Sequence, residues 1–402
     1  VDSLAILGGT PQLSQPLQFG QHYFPSWSRY ESVFRDIFER QYYTNHGPLA
    51  QQLEARLATL LQVKHAICIT NGMIALSIAT QAQELKGKII LPAWSNAAVV
   101  GSVRMAGLEP LFCDVDPRTA GLTAVQVEPF LGPGVAAILA SNVGGDACEV
   151  AALQTLSERA GVALYFDSAQ ALGCRMNGAP LGGFGRIEIF SLHSEDLLSA
   201  TEGGCICTND DALAAKVRNI RGNYGRGHFV PVVKTGNGRM SEAQAAIALL
   251  NLDELTTHQE HNDKIFRAYQ QRLADIPGVR LRIPAQVEHS NHQCVTCEID
   301  EAEFGLTTRE LVAAFRAENI EVRDSQSTAS YTCVPSALRE AQDNGRMPVS
   351  ERLAAVMLQL PTGARVDVAM VERVVSVLAL ARLHAATIRR TLSANCNATS
   401  SY

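Results

Sequence analysis

Three stretches of this chain place polar side chains at the ends of apolar runs, and those side chains set its chemistry. Ile187-Glu188-Ile189-Phe190-Ser191 reads as the end of one strand. A short polar segment follows, His193-Ser194-Glu195-Asp196, and Glu202-Gly203-Gly204 then turns into the alternating Cys205-Ile206-Cys207-Thr208. Asp167 closes the apolar run Tyr165-Phe166 and is followed by Ser168-Ala169-Gln170. A carboxylate at the carboxyl end of a buried strand is more often functional than structural, with a cap for the next segment as the plainer alternative. Asn71-Gly72 stands at a strand-to-helix junction, where backbone N–H groups form a ready phosphate site or simply a turn. Asn237 lies in the glycine-flanked Thr235-Gly236-Asn237-Gly238-Arg239, and the following Ser241 and Gln244 fit a capping box that needs no chemistry. Ligands of α/β proteins sit at the carboxyl ends of strands, so these positions are expected to share one site.

The elements that must position them form a regular alternation. Seven apolar segments read as strands: His65–Thr70, Lys88–Pro92, Leu108–Val115, Val135–Asn142, Val162–Asp167, Ile187–Ser191 and Cys205–Thr208. Segments with helical spacing separate most of them. Buried, non-alternating strands interleaved with helices predict a mainly parallel seven-stranded sheet sandwiched by helices. A long helix over 241–258 closes this region. Beyond about residue 261 the pattern changes to α+β, with a strand near Gln293–Ile299, a helix over Thr308–Ala317, a strand near Ile320–Arg323 and a terminal helix over Val366–Arg389. The expected domains are an N-terminal arm at 1–30, a large α/β domain at 31–260, a small α+β domain at 261–392, and a polar, mobile tail at 393–402.

Composition narrows the class of function. The chain has 402 residues, 47% hydrophobic and 18% charged, which supports a large core and argues against disorder. A net charge of −6 gives no electrostatic reason for nucleic acid or an anionic membrane as partner. Several of the ten cysteines sit in apolar runs (Cys68, Cys113, Cys205, Cys207) and read as buried thiols of a reducing compartment. Cys294 and Cys297 form a CxxC, but in an alternating run residues three apart face opposite ways, so no metal is expected. The first residues lack the charged-then-apolar layout of a signal peptide, and no run of about 18 apolar residues occurs. A cytoplasmic protein acting on a small molecule is expected. Gly-Gly pairs at 8–9, 144–145, 182–183 and 203–204 never extend to GxGxxG after the first strand, which argues against a dinucleotide site.

Taken together, TNHGPL at 44–49, NGMIAL at 71–76, FDSAQALG at 166–173, the 190–209 stretch and TGNGRMSEAQAA at 235–246 resemble the DegT/StrS-type sugar aminotransferases, fold-type-I enzymes of pyridoxal phosphate (PLP). The resemblance covers most of the chain and implies that fold, and a homodimer with shared active sites. It implies that Asp167 pairs with the ring nitrogen, that Gln170 lies against the ring hydroxyl, that Ser191 and the Gly72 loop bind the phosphate, and that Asn237 reaches the phosphate from the neighbouring subunit.

Three positions depart from that pattern. The family's SFHATK is Ser191-Leu192-His193-Ser194-Glu195-Asp196 here, so Asp196 stands where the Schiff-base lysine belongs. NGT is Asn71-Gly72-Met73, which removes a hydroxyl ligand of the phosphate. The aromatic on the ring face is Asn96, with Trp94 two residues earlier. A carboxylate cannot form a Schiff base. Any cofactor, PLP or its aminated form PMP, is therefore expected without a covalent bond, and of the lysines only Lys234 could enter the site. A dehydratase branch of the family has histidine at the lysine position and uses the aminated cofactor. His193 could serve as a base or merely hydrogen-bond locally.

The first expectation is an enzyme on the aminotransferase scaffold that has left transamination, with Asp196, His193 and Glu195 supplying PLP-independent acid–base chemistry for a condensation, cyclisation or elimination. The second, ranked just below it, is a PLP- or PMP-dependent aminotransferase or dehydratase acting on a nucleotide-linked keto sugar. The third is a non-catalytic partner of an active paralogue. Arg226, His228 and Arg239 are candidate anion contacts.

Overall fold

The computed structural model describes residues 3–222, 228–232, 236–324 and 346–399. The central sheet is built from β1 (His65–Ile69), β2 (Lys88–Pro92), β3 (Glu109–Cys113), β4 (Val135–Ser141), β5 (Ala163–Asp167), β8 (Glu188–Ser191) and β9 (Gly204–Thr208). A small hairpin of β6 (Arg175–Met176) and β7 (Ala179–Pro180) intervenes. The strand order is β1-β9-β8-β5-β4-β2-β3. All neighbours pair in parallel except β9, which runs antiparallel to both β1 and β8. The exception has a local cause. The link from Ser191 to Gly204 contains no helix, and only a helical crossover returns a chain parallel to its predecessor.

Side chains alternate between two cores, as a pleated strand requires. Ala66 and Cys68 of β1 face one apolar layer, and Ile67 and Ile69 the other. Leu164 and Phe166 of β5 join the first layer and Tyr165 the second. Helices cover both faces, so every one of these strand residues is buried.

The second sheet is small and antiparallel, ordered β10 (Val279–Leu281), β11 (Val295–Ile299), β13 (Met357–Leu360), β12 (Arg323–Asp324). It has its own core. The N-terminal segment packs on this core through Leu4, Leu13 and Leu17 rather than standing clear as an arm. Its backbone is tied to Glu318, which accepts from the N–H groups of Ala5 (2.6 Å) and Gln12 (2.8 Å).

Several expected boundaries move. The helix expected over 241–258 ends at Asp253, and a second helix runs Leu255–Leu273 across the boundary expected at 260. The terminal helix is two, Val368–Leu383 and Ala385–Thr399, so most of the expected polar tail continues a helix. Among the described residues no helix is long and apolar enough to cross a membrane.

Candidate active site

Asp167 is the last residue of β5, and its strand neighbour in register is Ser141 at the end of β4. Both are buried. The Asp167 carboxylate accepts one backbone N–H, from Ala169 at 3.2 Å. Burial pushes its pKa up from 3.8 to about 6, against the Ala169 N–H, and the nearby Asp196 carboxylate adds to the rise. The Ser141 hydroxyl has no hydrogen-bond partner among the described residues. Two polar groups with open hydrogen-bonding capacity therefore line one cavity, together with Asn96, Gln170, Ser191, His193, Glu195 and Asp196.

Behind that wall a buried chain of hydrogen bonds fixes its shape. Asn142 donates from Nδ2 to Ser168 Oγ (2.8 Å), and Ser168 donates to Glu188 Oε1 (2.6 Å). Asn142 Oδ1 accepts from the Cys148 N–H (3.0 Å). Glu188 is fully buried, and burial raises its pKa to about 7, opposed by Ser168 and by the backbone N–H groups of Phe184 and Gly182. Gln170 is fixed too, its Oε1 accepting from the Gly144 N–H at 2.8 Å.

Beside Ser191, which lines the cavity, the helix Gly72–Ala82 begins. Asn71 caps it by accepting from the Ile74 N–H (2.9 Å). The first N–H groups of the helix remain directed outward, as at any helix start, and favour an anion. Ser191 stands beside them. A Cβ at position 72 would lie 3.3 Å from Ser191 Oγ, so only glycine leaves the cradle open. Gly204 performs a related task, since a Cβ there would come within 2.8 Å of the Asn71 carbonyl oxygen. Met73 is exposed over the first turn, and Asn96 is exposed and spends its Oδ1 capping the next helix, on the Ala98 N–H (2.9 Å). Trp94 is buried and lines an adjoining cleft with Gln170 and Cys294.

The loop between β8 and β9 carries the three expected acid–base groups, and the structure treats them differently. Asp196 faces the cavity, with Oδ2 accepting from the His193 N–H at 2.9 Å. Burial raises its pKa to about 6. Ser191 and His193 oppose the rise, and Glu195 adds to it. Glu195 is committed to Arg323 of β12 through both oxygens, at 2.7 and 2.8 Å. Burial would raise its pKa, but Arg323 holds it below the usual carboxylate range. Glu195 therefore ties the loop to the small sheet, with both oxygens engaged by Arg323. His193 is about half exposed. Its Nδ1 accepts from the Glu195 N–H (3.3 Å), and its Nε2 lies 3.6 Å from Glu202. Sequence spacing carries no signal for Arg323, because it meets Glu195 from 128 positions away.

The ion pair yields a first prediction. Arg323→Met leaves Glu195 half-buried and unpaired, so the loop should open locally. Amide hydrogen exchange at Asp196 and Leu197 is expected to accelerate roughly tenfold or more, with little change in the core strands. Unchanged exchange at these amides would show that the loop holds without the pair.

The remaining candidates lie elsewhere. Asn237 is exposed, accepts from Arg239 Nε (3.1 Å), and does not line the cavity of its own chain. Arg239 also donates to Asn45 (2.6 Å). The His228 carbonyl accepts from Asn219. Lys234 and Arg226 lie outside the described residues.

Comparison with known proteins fits this geometry. Residues 28–379 match the model of the DegT/DnrJ/EryC1/StrS aminotransferase family. The chain is 30% identical to GDP-perosamine synthase of Caulobacter vibrioides over 338 residues, covering 83% of this chain and 90% of that protein. It is 27% identical to a dTDP-4-amino-4,6-dideoxy-D-glucose transaminase of Shigella dysenteriae, covering 91% and 99%. The structure of DesI in the presence of its TDP-sugar product superposes with a TM-score of 0.89 at 34% identity, covering 98% and 99%. These relatives overturn the first functional expectation, a PLP-independent enzyme that has left transamination. In the structure Asp167 keeps open acceptor capacity and the helix start beside Ser191 is uncovered, so neither position is closed to a ligand. With its fold and nearly its whole length in agreement, the chain belongs to the DegT/DnrJ/EryC1/StrS aminotransferase family.

Proposed function

We propose that the protein is a PLP- or PMP-dependent enzyme that transfers an amino group at a nucleotide-linked keto sugar, and that it holds its cofactor without a covalent bond. The observation that carries this reading is a buried carboxylate with open acceptor capacity in the cavity, together with an uncovered helix start that adjoins the cavity at Ser191. Such a cavity suits a ligand with a protonated ring nitrogen at one end and a phosphate at the other. The relatives named above supply the nucleotide-sugar class.

When bound, the cofactor supplies a ring that draws electrons from the carbon next to the transferred nitrogen. The chain's own residues do the rest. Asp167 keeps the proton on the ring nitrogen. The N–H groups of Gly72 and Met73 and the Ser191 hydroxyl hold the phosphate. Ser141 offers its free hydroxyl to the ring edge, and Gln170 closes the hydroxyl side. Asp196 stands where the family keeps its lysine, and takes and returns a proton at the substrate carbon. With a pKa of about 6 it is ionised at neutral pH yet readily reprotonated, which suits that task. We read the molecule as one half of a homodimer in which Asn237 reaches the phosphate held by the neighbouring subunit.

The test is a single turnover. Protein loaded with PMP and mixed with a dTDP- or GDP-linked keto sugar should give the amino sugar in at most stoichiometric yield, identified by mass spectrometry. Loss of water from the sugar without nitrogen transfer would assign dehydration instead. An unchanged sugar at saturating cofactor would reject the reading.

A further inference from the structure

The cavity has an unusual balance of charge. Asp167, Glu195 and Asp196 all line it, and no lysine or arginine does so among the described residues. Two of these carboxylates have assigned counter-charges. Glu195 is closed by Arg323, and Asp167 is the partner of a protonated ring nitrogen. His193 attracts the third, but its Nδ1 accepts from the Glu195 N–H and its Nε2 turns towards Glu202. Once the Ser191 hydroxyl turns to the phosphate, Asp196 is left with a backbone N–H. A half-buried carboxylate with no lysine or arginine beside it among the described residues is costly, and a ligand that brings a cation is favoured.

We propose that Asp196 selects the aminated form of the cofactor by charge, pairing its carboxylate with the primary ammonium of PMP and disfavouring the uncharged aldehyde of PLP. The inference rests on the function proposed above. An alkylammonium supplies the missing positive charge and three donors, and at neutral pH it is almost fully protonated. Where lysine would bind the aldehyde covalently, this chain binds the amine ionically. No bond is made or broken in this step. The chain then begins its cycle from the amine, and the aldehyde produced by transfer is the form it releases.

Calorimetric titration of the cofactor-free protein tests this without any turnover. The three ligands are PMP, PLP and pyridoxine 5′-phosphate, which carries a neutral hydroxyl where PMP carries its ammonium. PMP is expected to bind roughly tenfold or more tightly than either of the others. In Asp196→Asn that advantage should fall to about one, with pyridoxine 5′-phosphate bound no more weakly than before. Equal affinities in the native protein would overturn the inference and leave the proposed function standing. So would a preference for PMP that survives in Asp196→Asn. If none of the three binds, the proposed function fails and the inference with it. The ranking in the native protein decides the matter even if the variant does not fold.

Discussion

Replacing Asp167 by alanine is expected to abolish cofactor retention while making the cofactor-free protein more stable at neutral pH. The two effects share one cause. Burial holds the Asp167 pKa at about 6, above the ordinary 3.8, so the native state resists ionising it. Below about pH 3.8 the carboxyl is protonated in both native and unfolded chains and costs nothing. As pH rises towards about 6 the unfolded chain ionises freely and the native one does not, and stability is lost across that window. The shift corresponds to about 3 kcal/mol at most. Asp167→Ala should remove this part of the pH dependence, leaving those of Asp196 and Glu188 in place. A bound ring nitrogen reverses the balance, because it pairs with the ionised form. Loss of that pair should weaken binding about 100-fold or more. Chemical denaturation at pH 4.5 and 7.5, with and without PMP, checks both halves. A variant that bound PMP normally would sink the role given to Asp167.

Glu54→Ala should have the largest effect on folding itself. Glu54 is buried on the helix Pro48–Leu60. Its Oε1 accepts from Arg221 (2.6 Å) and from the Cys68 N–H (3.0 Å), and its Oε2 meets His46 Nε2 at 2.9 Å. One carboxylate thus joins the first helix of the large core, β1 and the helix Asp211–Gly222. Burial alone would raise its pKa, but the His46 hydrogen bond and the charges of Arg221 and Arg218 outweigh it and hold the value at about 2. Its contribution is therefore present above the unfolded value of 4.5 and is lost as pH falls towards 2. Removing it strands the buried Arg221, at a cost of about 3–5 kcal/mol. The midpoint of urea unfolding should fall with an unchanged slope. A midpoint within experimental error of the native one would show that Arg221 finds another partner.

The strands of the large sheet were legible because burial on both faces forces continuous apolar runs, and their ends were displaced by only a residue or two. The hairpin of β6 and β7 carries a local signal, Asn177-Gly178, with both residues at positive φ as a tight hairpin turn needs. Its arms are two residues long, too short to show alternation. The break at Glu254 was hidden, because no glycine or proline marks it. In the site, Asp167 and Ser191 could be read from their places at strand ends, and Asp196 from the resemblance, at the family's lysine position. Ser141 and Arg323 could not. A serine ending an apolar strand is unremarked in any sequence, and its open hydroxyl is a fact of packing. Glu195 reads in the sequence as one of three acid–base candidates, and only the fold brings Arg323 to it.

Apart from the Glu195–Arg323 pair and the bond from the His193 N–H to the Asp196 carboxylate, the loop between β8 and β9 is held through its backbone. Leu192 N–H donates to the Gly203 carbonyl and Ala200 N–H to the Leu192 carbonyl, each at 2.9 Å. Gln293 Oε1 accepts from the Leu197 N–H at 3.0 Å, and the Glu195 carbonyl accepts from the Gln21 N–H at 3.2 Å. None of these bonds involves the side chain at 196. Position 196 is therefore a socket whose aim is set by the fold and whose content is open to change. A residue of another charge could thus stand there without loss of the loop.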